Sequence, residues 1–374
     1  MNGLSPPSEQ ADEPQRRKDG RTLAEAAVGH DNNLNLLRVL AALLVLASHS
    51  VTLATGRASD EPGRGLLGIS LGDVAVDIFF VISGFLVTGS LTRSNSLRKY
   101  VAARGLRIVP GLWVALFLTV LAISLGFSTY SPVQNLLDLR TWHYLVRNAL
   151  IVTGMDFSLP GAFASNPFPG SVNASLWTLP LEVWMYILLA MEWWASSRLL
   201  ERFGRDCLQK MLLATAIVLL ALTLGLALHG RPSNSLRHAA MFFSAAWIYL
   251  VRGRIPLRLD AAIATLAIIM GATLISHDAF EVVYRLLFPY LVLYIAYAPA
   301  GFLRLYNRAG DFSYGIYIYA FPLQQISAAI FPGIGVFELM LLAAVMTIVA
   351  AMFSWYLVES PSLRLRARIE RRPA

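Results

Sequence analysis

Residues 35–50 read NLLRVLAALLVLASHS. From Leu36 to Ala47 the stretch is apolar except for Arg38, and His49 stands two residues beyond it. A run of this kind predicts a helix that crosses a lipid bilayer, for which about 20 mostly apolar residues are needed. A charged side chain in such a helix costs roughly 2.5–3.5 kcal/mol even on lenient insertion scales, so each one present calls for a reason. Eleven positions separate Arg38 from His49. At 100° per residue they return to one helix face, about 16 Å apart along the axis. That distance excludes a mutual contact and gives the face two separate polar ends.

The same character extends through the chain. Of 374 residues 56% are hydrophobic and 14% charged, with a mean hydropathy of +0.57. Soluble domains carry about 25% charged residues, so the composition predicts a polytopic membrane protein. The net charge of +8 is then a question of topology rather than of nucleic-acid binding, which is not expected. One cysteine, Cys207, excludes an internal disulfide or a thiolate metal cluster, and no metal is expected. Residues 1–33 are polar and proline-bearing, without a signal-peptide pattern, and read as a disordered cytoplasmic tail.

Ten apolar runs follow, at about 34–54, 71–91, 106–126, 175–195, 211–229, 236–251, 259–276, 283–299, 312–331 and 336–357. With the N-terminus placed inside, 23 of the 31 Lys and Arg residues fall in inner segments and 7 in outer ones, Arg38 lying within a span. This alternation supports an all-α integral membrane bundle of about ten transmembrane helices with both termini cytoplasmic. The membrane domain is expected over 34–358, with a basic cytoplasmic tail at 359–374. The 127–174 connection, rich in proline and aromatic residues, reads as an ordered outer cap.

Ionisable residues inside spans are candidates for function. Span two, GDVAVDIFFVISGFLV, carries Asp73 near the interface, Asp77 deeper, and the pair Ser83-Gly84, which also suits a close helix contact. Span four, SLWTLPLEVWMYILL, carries Glu182 between Trp177 and Tyr186. Counted from the helix midpoints, His49, Asp77 and Glu182 fall at a similar depth in the outer half. An imidazole beside carboxylates is the constitution of a general base. Toward the inside, residues 93–107 hold Arg93, Arg98, Lys99, Arg104 and Arg107. These serve either topology alone or a phosphate-binding rim for an anionic cosubstrate. The chain has no nucleotide-triphosphatase phosphate loop, HExxH or GxSxG. Asn173-Ala174-Ser175 fits the glycosylation-acceptor pattern, a triplet common by chance.

Five stretches carry a family resemblance: Arg38 and His49 separated by ten residues, FFVISGFL at 79–86, RGLRIVP at 104–110, NASLWTLPLEVWMY at 173–186, and WYLVESP at 355–361. In order and spacing the chain resembles the membrane-bound acyltransferase-3 family, which includes O-antigen, exopolysaccharide and nodulation-factor acetyltransferases. The resemblance covers most of residues 33–365. One departure stands out: in SYGIYIYAFP, 313–322, Ala320 occupies a position where the family often has histidine.

The resemblance implies a bacterial inner-membrane O-acyltransferase. It would move an acyl group, usually acetyl, from cytoplasmic acetyl-CoA or another acyl-CoA to a hydroxyl of an exported or cell-surface carbohydrate or glycolipid. On that reading His49 is a general base or a transient acyl carrier, with Glu182 and Asp77 orienting it or balancing its charge. Arg38, Arg104 and Arg107 meet the cosubstrate. Trp177, Trp184, Tyr186 and Ser83 are candidate substrate contacts. Two other classes remain compatible with the residues alone: a transporter or flippase of a glycolipid or small solute, and a membrane sensor that keeps the fold without the chemistry.

Overall fold

The apolar run that holds Arg38 and His49 forms one helix, α1 (Leu34–Thr55), ended by Gly56 in the left-handed region. The computed structural model describes residues 21–29, 31–204 and 206–371. Nine further helices coincide with the other expected spans: α2 (Leu71–Ser94), α3 (Leu97–Gly126), α4 (Thr178–Phe203), α5 (Cys207–Leu228), α6 (Asn234–Val251), α7 (Leu259–Ile275), α8 (His277–Tyr297), α9 (Ser313–Ile330) and α10 (Val336–Ser354). Apart from two isolated bridges, Thr22 with Pro256 and Ser128 with Ala162, the described residues form no β-structure.

Seven of these helices, α1–α5, α8 and α10, are long and apolar enough to cross a membrane. The other three fall short for visible reasons. Helix α7 is apolar but has 17 residues. Helix α6 carries buried Arg237 and His238, and α9 carries buried Gln324 and Gln325 among tyrosines. Helix α8 begins six residues before its expected start. Ser276 caps it, and its first turns hold an internal ion pair between Glu281 and Arg285, so polar residues begin a helix that the apolar pattern alone started later.

Small residues set how closely the helices meet, as expected where lipid supplies little drive for association. A Cβ on Gly84 of α2 would stand 2.1 Å from the Phe242 carbonyl oxygen of α6. One on Gly111 of α3 would meet the Tyr314 ring of α9 at 2.8 Å, and one on Gly315 of α9 would meet the Ala351 backbone of α10 at 2.8 Å.

The 127–174 connection is ordered, as the sequence led us to expect. It contains helices Pro132–Leu137 and Leu139–Leu150. It is fastened to α9 where Asn166 donates to Gln325, Gln325 donates to the Phe168 and Ser171 carbonyls, and Asn173 donates to the Ile318 carbonyl at 2.8 Å. The expected tail at 1–33 is corrected in part. Residues 1–20 lie outside the described residues, but Leu23–Ala26 is a helical turn closed by a Thr22–Glu25 capping box. Leu23 is fully buried there, and its N–H donates to the Ile255 carbonyl at 2.8 Å. Burial of this one leucine and the backbone pairing order a stretch whose polar composition suggested none. At the other end, α10 passes through a π turn, Trp355–Glu359, into the helix Ser360–Arg371.

Replacing Gly84 with alanine should lower stability by about 1–3 kcal/mol, because the atom opposite is backbone and cannot swing away. Gly105→Ala, with nothing within 4 Å of the added methyl, should be neutral or stabilising by up to about 1 kcal/mol. Thermal unfolding of the two variants in detergent checks the contrast.

Candidate active site

Asp311, in the connection just before α9, gathers two of the three arginines expected at the cosubstrate end. Its Oδ2 accepts from Arg38 of α1 at 2.6 Å and from Arg107 of α3 at 2.7 Å. Arg107 also reaches Glu359 in the π turn, at 3.4 Å. The remaining oxygens are occupied locally: Ser313 donates to Asp311 Oδ1 at 2.5 Å and Ser354 to Glu359 Oε1 at 2.9 Å. Burial opposes ionisation of Asp311, but the Arg107 and Arg38 guanidiniums override it and hold the carboxyl at about 2. One carboxylate thus fixes the relative positions of α1, α3 and α9.

These arginines lie on the wall of a cavity of about 940 Å³ inside the bundle. On the opposing helices the wall carries Ser83, Glu182 and Tyr186. Ser83 Oγ donates to Glu182 Oε1 at 3.1 Å and lies 2.9 Å from the Tyr186 hydroxyl, which itself donates to the same carboxylate oxygen. Ser83 therefore points across to another helix rather than back to its own carbonyls. Tyr100 steadies this group by donating to the Tyr186 carbonyl at 3.0 Å. Arg104 lies over the Tyr186 ring at 5.9 Å.

His49 sits beyond the cavity, whose lining reaches Thr178 and Tyr317. The Tyr317 hydroxyl is 2.7 Å from Thr178 Oγ1 and 2.7 Å from the Ser175 carbonyl. Ser175 Oγ in turn lies 3.4 Å from His49 Nδ1. The Phe321 and His49 rings meet in a T-shaped contact, their centroids 5.4 Å apart. One layer of side chains therefore stands between the cavity and the half-buried histidine.

Asp77 is elsewhere. It is fully buried and bound by three groups: His238 Nδ1 at 2.6 Å, Arg237 Nε at 3.1 Å and the Tyr284 hydroxyl at 2.9 Å. His238 is stacked on Phe80 at 5.0 Å and flanked by Trp177 at 5.5 Å. Arg237 also pairs with Asp73 at 3.2 Å. The expected convergence of His49, Asp77 and Glu182 is therefore not found. Among the described residues no hydrogen bond or ion pair joins any two of them, and equal depth in three helices did not mean a shared face. Trp177, expected to meet substrate, packs against His238, and Trp184 lies on the exposed face of α4, donating to the Val152 carbonyl at 3.3 Å.

The sequence pattern found Arg38, Arg104, Arg107, Ser83, Glu182 and Tyr186, which the structure brings to one cavity. It missed Asp311, since an acid in an interhelical connection carries no signal of its own. It missed Ser175, which stood inside a glycosylation-like triplet. His238 was findable, because an ionisable residue within an apolar run is notable by the rule that drew attention to Asp77.

Helices of this length and apolarity around a basic, carboxylate-bearing cavity describe a multi-pass membrane protein with a chamber in its interior. The chain belongs to an acyltransferase family, whose model, described as an acyltransferase domain, matches residues 31–359. Among its relatives is the "O-acetyl transferase" of Shigella phage Sf6, 29% identical over 355 residues that cover 88% of this chain and 95% of that protein. "Nodulation protein 10" of Rhizobium leguminosarum bv. viciae is 29% identical over 388 residues, covering 92% of this chain and 96% of that one. No solved structure matches the chain. The protein is thus an acyltransferase.

Asp311→Asn should destabilise the protein by about 3–5 kcal/mol, because it leaves two guanidiniums without their shared counter-charge. Adding Arg38→Gln should recover part of the loss, a coupling of about 1 kcal/mol or more. The pH dependence has a definite sign. With the folded carboxyl at about 2 and an unfolded aspartate near about 3.9, the contribution is full above about pH 4. It is lost as pH falls through about 2. Acid unfolding of wild type and Asp311→Asn measures both.

Proposed function

We propose that the protein transfers an acyl group, acetyl in the first instance, from acyl-CoA to a hydroxyl of a carbohydrate or glycolipid across a bacterial cytoplasmic membrane. On this reading all ten helices span, the cavity opens to the cytoplasm, both termini lie there, and the 127–174 cap faces outward. The observation that carries the reading is the division of α1: Arg38 on the wall of a basic cavity, and His49 about 16 Å along the same face, beyond that cavity and partly accessible.

The cavity receives the donor, and the layer formed by Thr178 and Tyr317 separates it from the histidine. The acceptor hydroxyl gives its proton to His49 as its oxygen attacks the thioester carbonyl. The C–O bond forms, the C–S bond breaks, and the CoA thiolate leaves to be protonated. With Nδ1 directed at Ser175, Nε2 is the nitrogen free to accept that proton, and Ser175 is a positioning residue. Glu182, oriented by Ser83 and Tyr186, supplies the negative charge in the cavity. Arg38 and Arg107 keep N–H donors for the pantetheine arm while their charge is spent on Asp311 and Glu359. Asp77 balances Arg237 and His238 and takes no part in the proton transfer.

His49→Ala should reduce acetyl transfer by about 10²–10⁴-fold, the usual worth of a general base, while expression and melting temperature stay near wild type. Glu182→Gln should reduce it as well, and Asp77→Asn should chiefly reduce stability. The assay is mass spectrometry of surface glycans from cells carrying each variant, scored for the mass of one acetyl group. Undiminished acetylation by His49→Ala would refute its assignment.

A further inference from the structure

Most arginines buried in this protein have an acid. Arg38 and Arg107 share Asp311, Arg237 has Asp73 and Asp77, and Arg285 has Glu281. Three arginines on the cavity wall do not: Arg93, Arg104 and Arg252 form no ion pair with a carboxylate among the described residues. Arg104 leaves its Nε buried without a partner. The other two converge on one aromatic ring. Arg252 lies over the face of Tyr249 at 4.0 Å and donates to the Tyr249 carbonyl at 2.6 Å. Arg93, exposed where the cavity reaches the surface, donates to the Tyr249 hydroxyl at 3.3 Å.

The geometry of this pair is enforced from behind. A Cβ at position 89 would stand 2.7 Å from the Tyr249 ring and 2.9 Å from Arg93 Nη1, so glycine there is what lets the ring and the guanidinium sit together. Two guanidiniums held against one ring, with no acid paired to either among the described residues, repel each other. An anion bridging the two would offset that repulsion, and the planar fork of arginine suits a phosphate in particular.

We propose that Arg93 and Arg252, brought together on Tyr249, form a receptor for a phosphate monoester, the 3′-phosphate on the ribose of the CoA donor. Arg104, over Tyr186, meets a separate part of the donor. The proposal rests on the acyl-CoA reading above and adds to it a selection: the enzyme reads the 3′-phosphate and discriminates against donors that lack it, such as dephospho-CoA or an acyl-pantetheine. An anionic lipid headgroup carries a similar phosphate. However, the ring that organises the site is buried and its two arginines line the interior cavity, which favours the soluble donor.

The test is calorimetric titration of the full-length protein, in nanodiscs of phosphatidylcholine only, with CoA and with 3′-dephospho-CoA. Wild type should bind CoA about 10- to 100-fold more tightly, the worth of a charged hydrogen-bonded contact. Arg93→Gln and Arg252→Gln should each bring the ratio of the two dissociation constants close to 1, with Arg252→Lys retaining part of it. Arg93 is exposed, so its substitution does not threaten folding, and the melting temperature without ligand verifies this. Equal affinity of wild type for the two compounds, or a ratio that survives in Arg93→Gln, overturns the inference and leaves the acyl-CoA reading standing. Binding of neither compound overturns both. Unchanged CoA binding by Arg93→Gln, with loss of phosphatidylglycerol carried through purification, assigns the site to lipid instead and overturns the inference.

Discussion

The carboxylate of Asp311 between Arg38 and Arg107 is the constraint on which the arrangement of the site depends. It ties the first long helix, the third, and the start of the ninth to one point, and Arg107 extends the tie to Glu359 in the π turn. Such a group is a weak source of net stability, because desolvating its members offsets their attraction. Its consequence is positional. A slip of α1 by one turn would carry Arg38 about 5.4 Å from its partner and leave buried charge uncompensated, so the register of α1, and with it the depth of His49, is set from the far end of the helix. The π turn serves the same end, since the extra residue in the last turn of α10 turns Glu359 inward, where it is buried beside Ser354.

Asp311, Asp77 and Glu182 head three polar clusters that no hydrogen bond or ion pair joins among the described residues. The Asp311 cluster is a closed charge network, and so is the Asp77 cluster, in which Arg237, His238 and Tyr284 leave the carboxylate no free face. The Glu182 cluster differs, for among the described residues its carboxylate is bound only by hydroxyls, from Ser83 and Tyr186, and it faces a cavity. A buried acid met by arginine and histidine has its charge cancelled and holds helices together. One met only by hydroxyls keeps its charge available to whatever enters the cavity. This difference in partners, rather than depth in the membrane, separates a structural acid from a candidate for chemistry.

It also explains what could be read from the sequence. The positions of the long helices were legible, because an apolar run of about 20 residues has little choice of conformation in lipid. The candidates Arg38, Ser83, Glu182 and Tyr186 were legible as polar residues in apolar runs, and they do line one cavity. Their partners were not. Spacing along one helix places residues on a face, but which face meets which neighbour is decided by contacts such as Gly84 against the Phe242 carbonyl, and these have no one-dimensional trace. Asp77 illustrates the failure: its depth matched that of His49, and its face turned toward α6 and α8 instead.

Ala320 raises a final point of construction. Where the family often places a histidine on α9, this chain has a buried alanine followed by Phe321, whose ring makes a T-shaped contact with His49. The imidazole therefore has an apolar neighbour from α9, and the hydrogen-bonding contact it makes is to Ser175, in the turn that leads into α4. Ser175 is itself positioned through its carbonyl by the Tyr317 hydroxyl, one turn before Ala320 on the same helix. Helix α9 thus reaches His49 through a tyrosine and a serine in series. The residue substituted at 320 removes one titratable group from the vicinity and leaves the orientation of the other to a hydrogen-bonded chain that begins at the cavity wall.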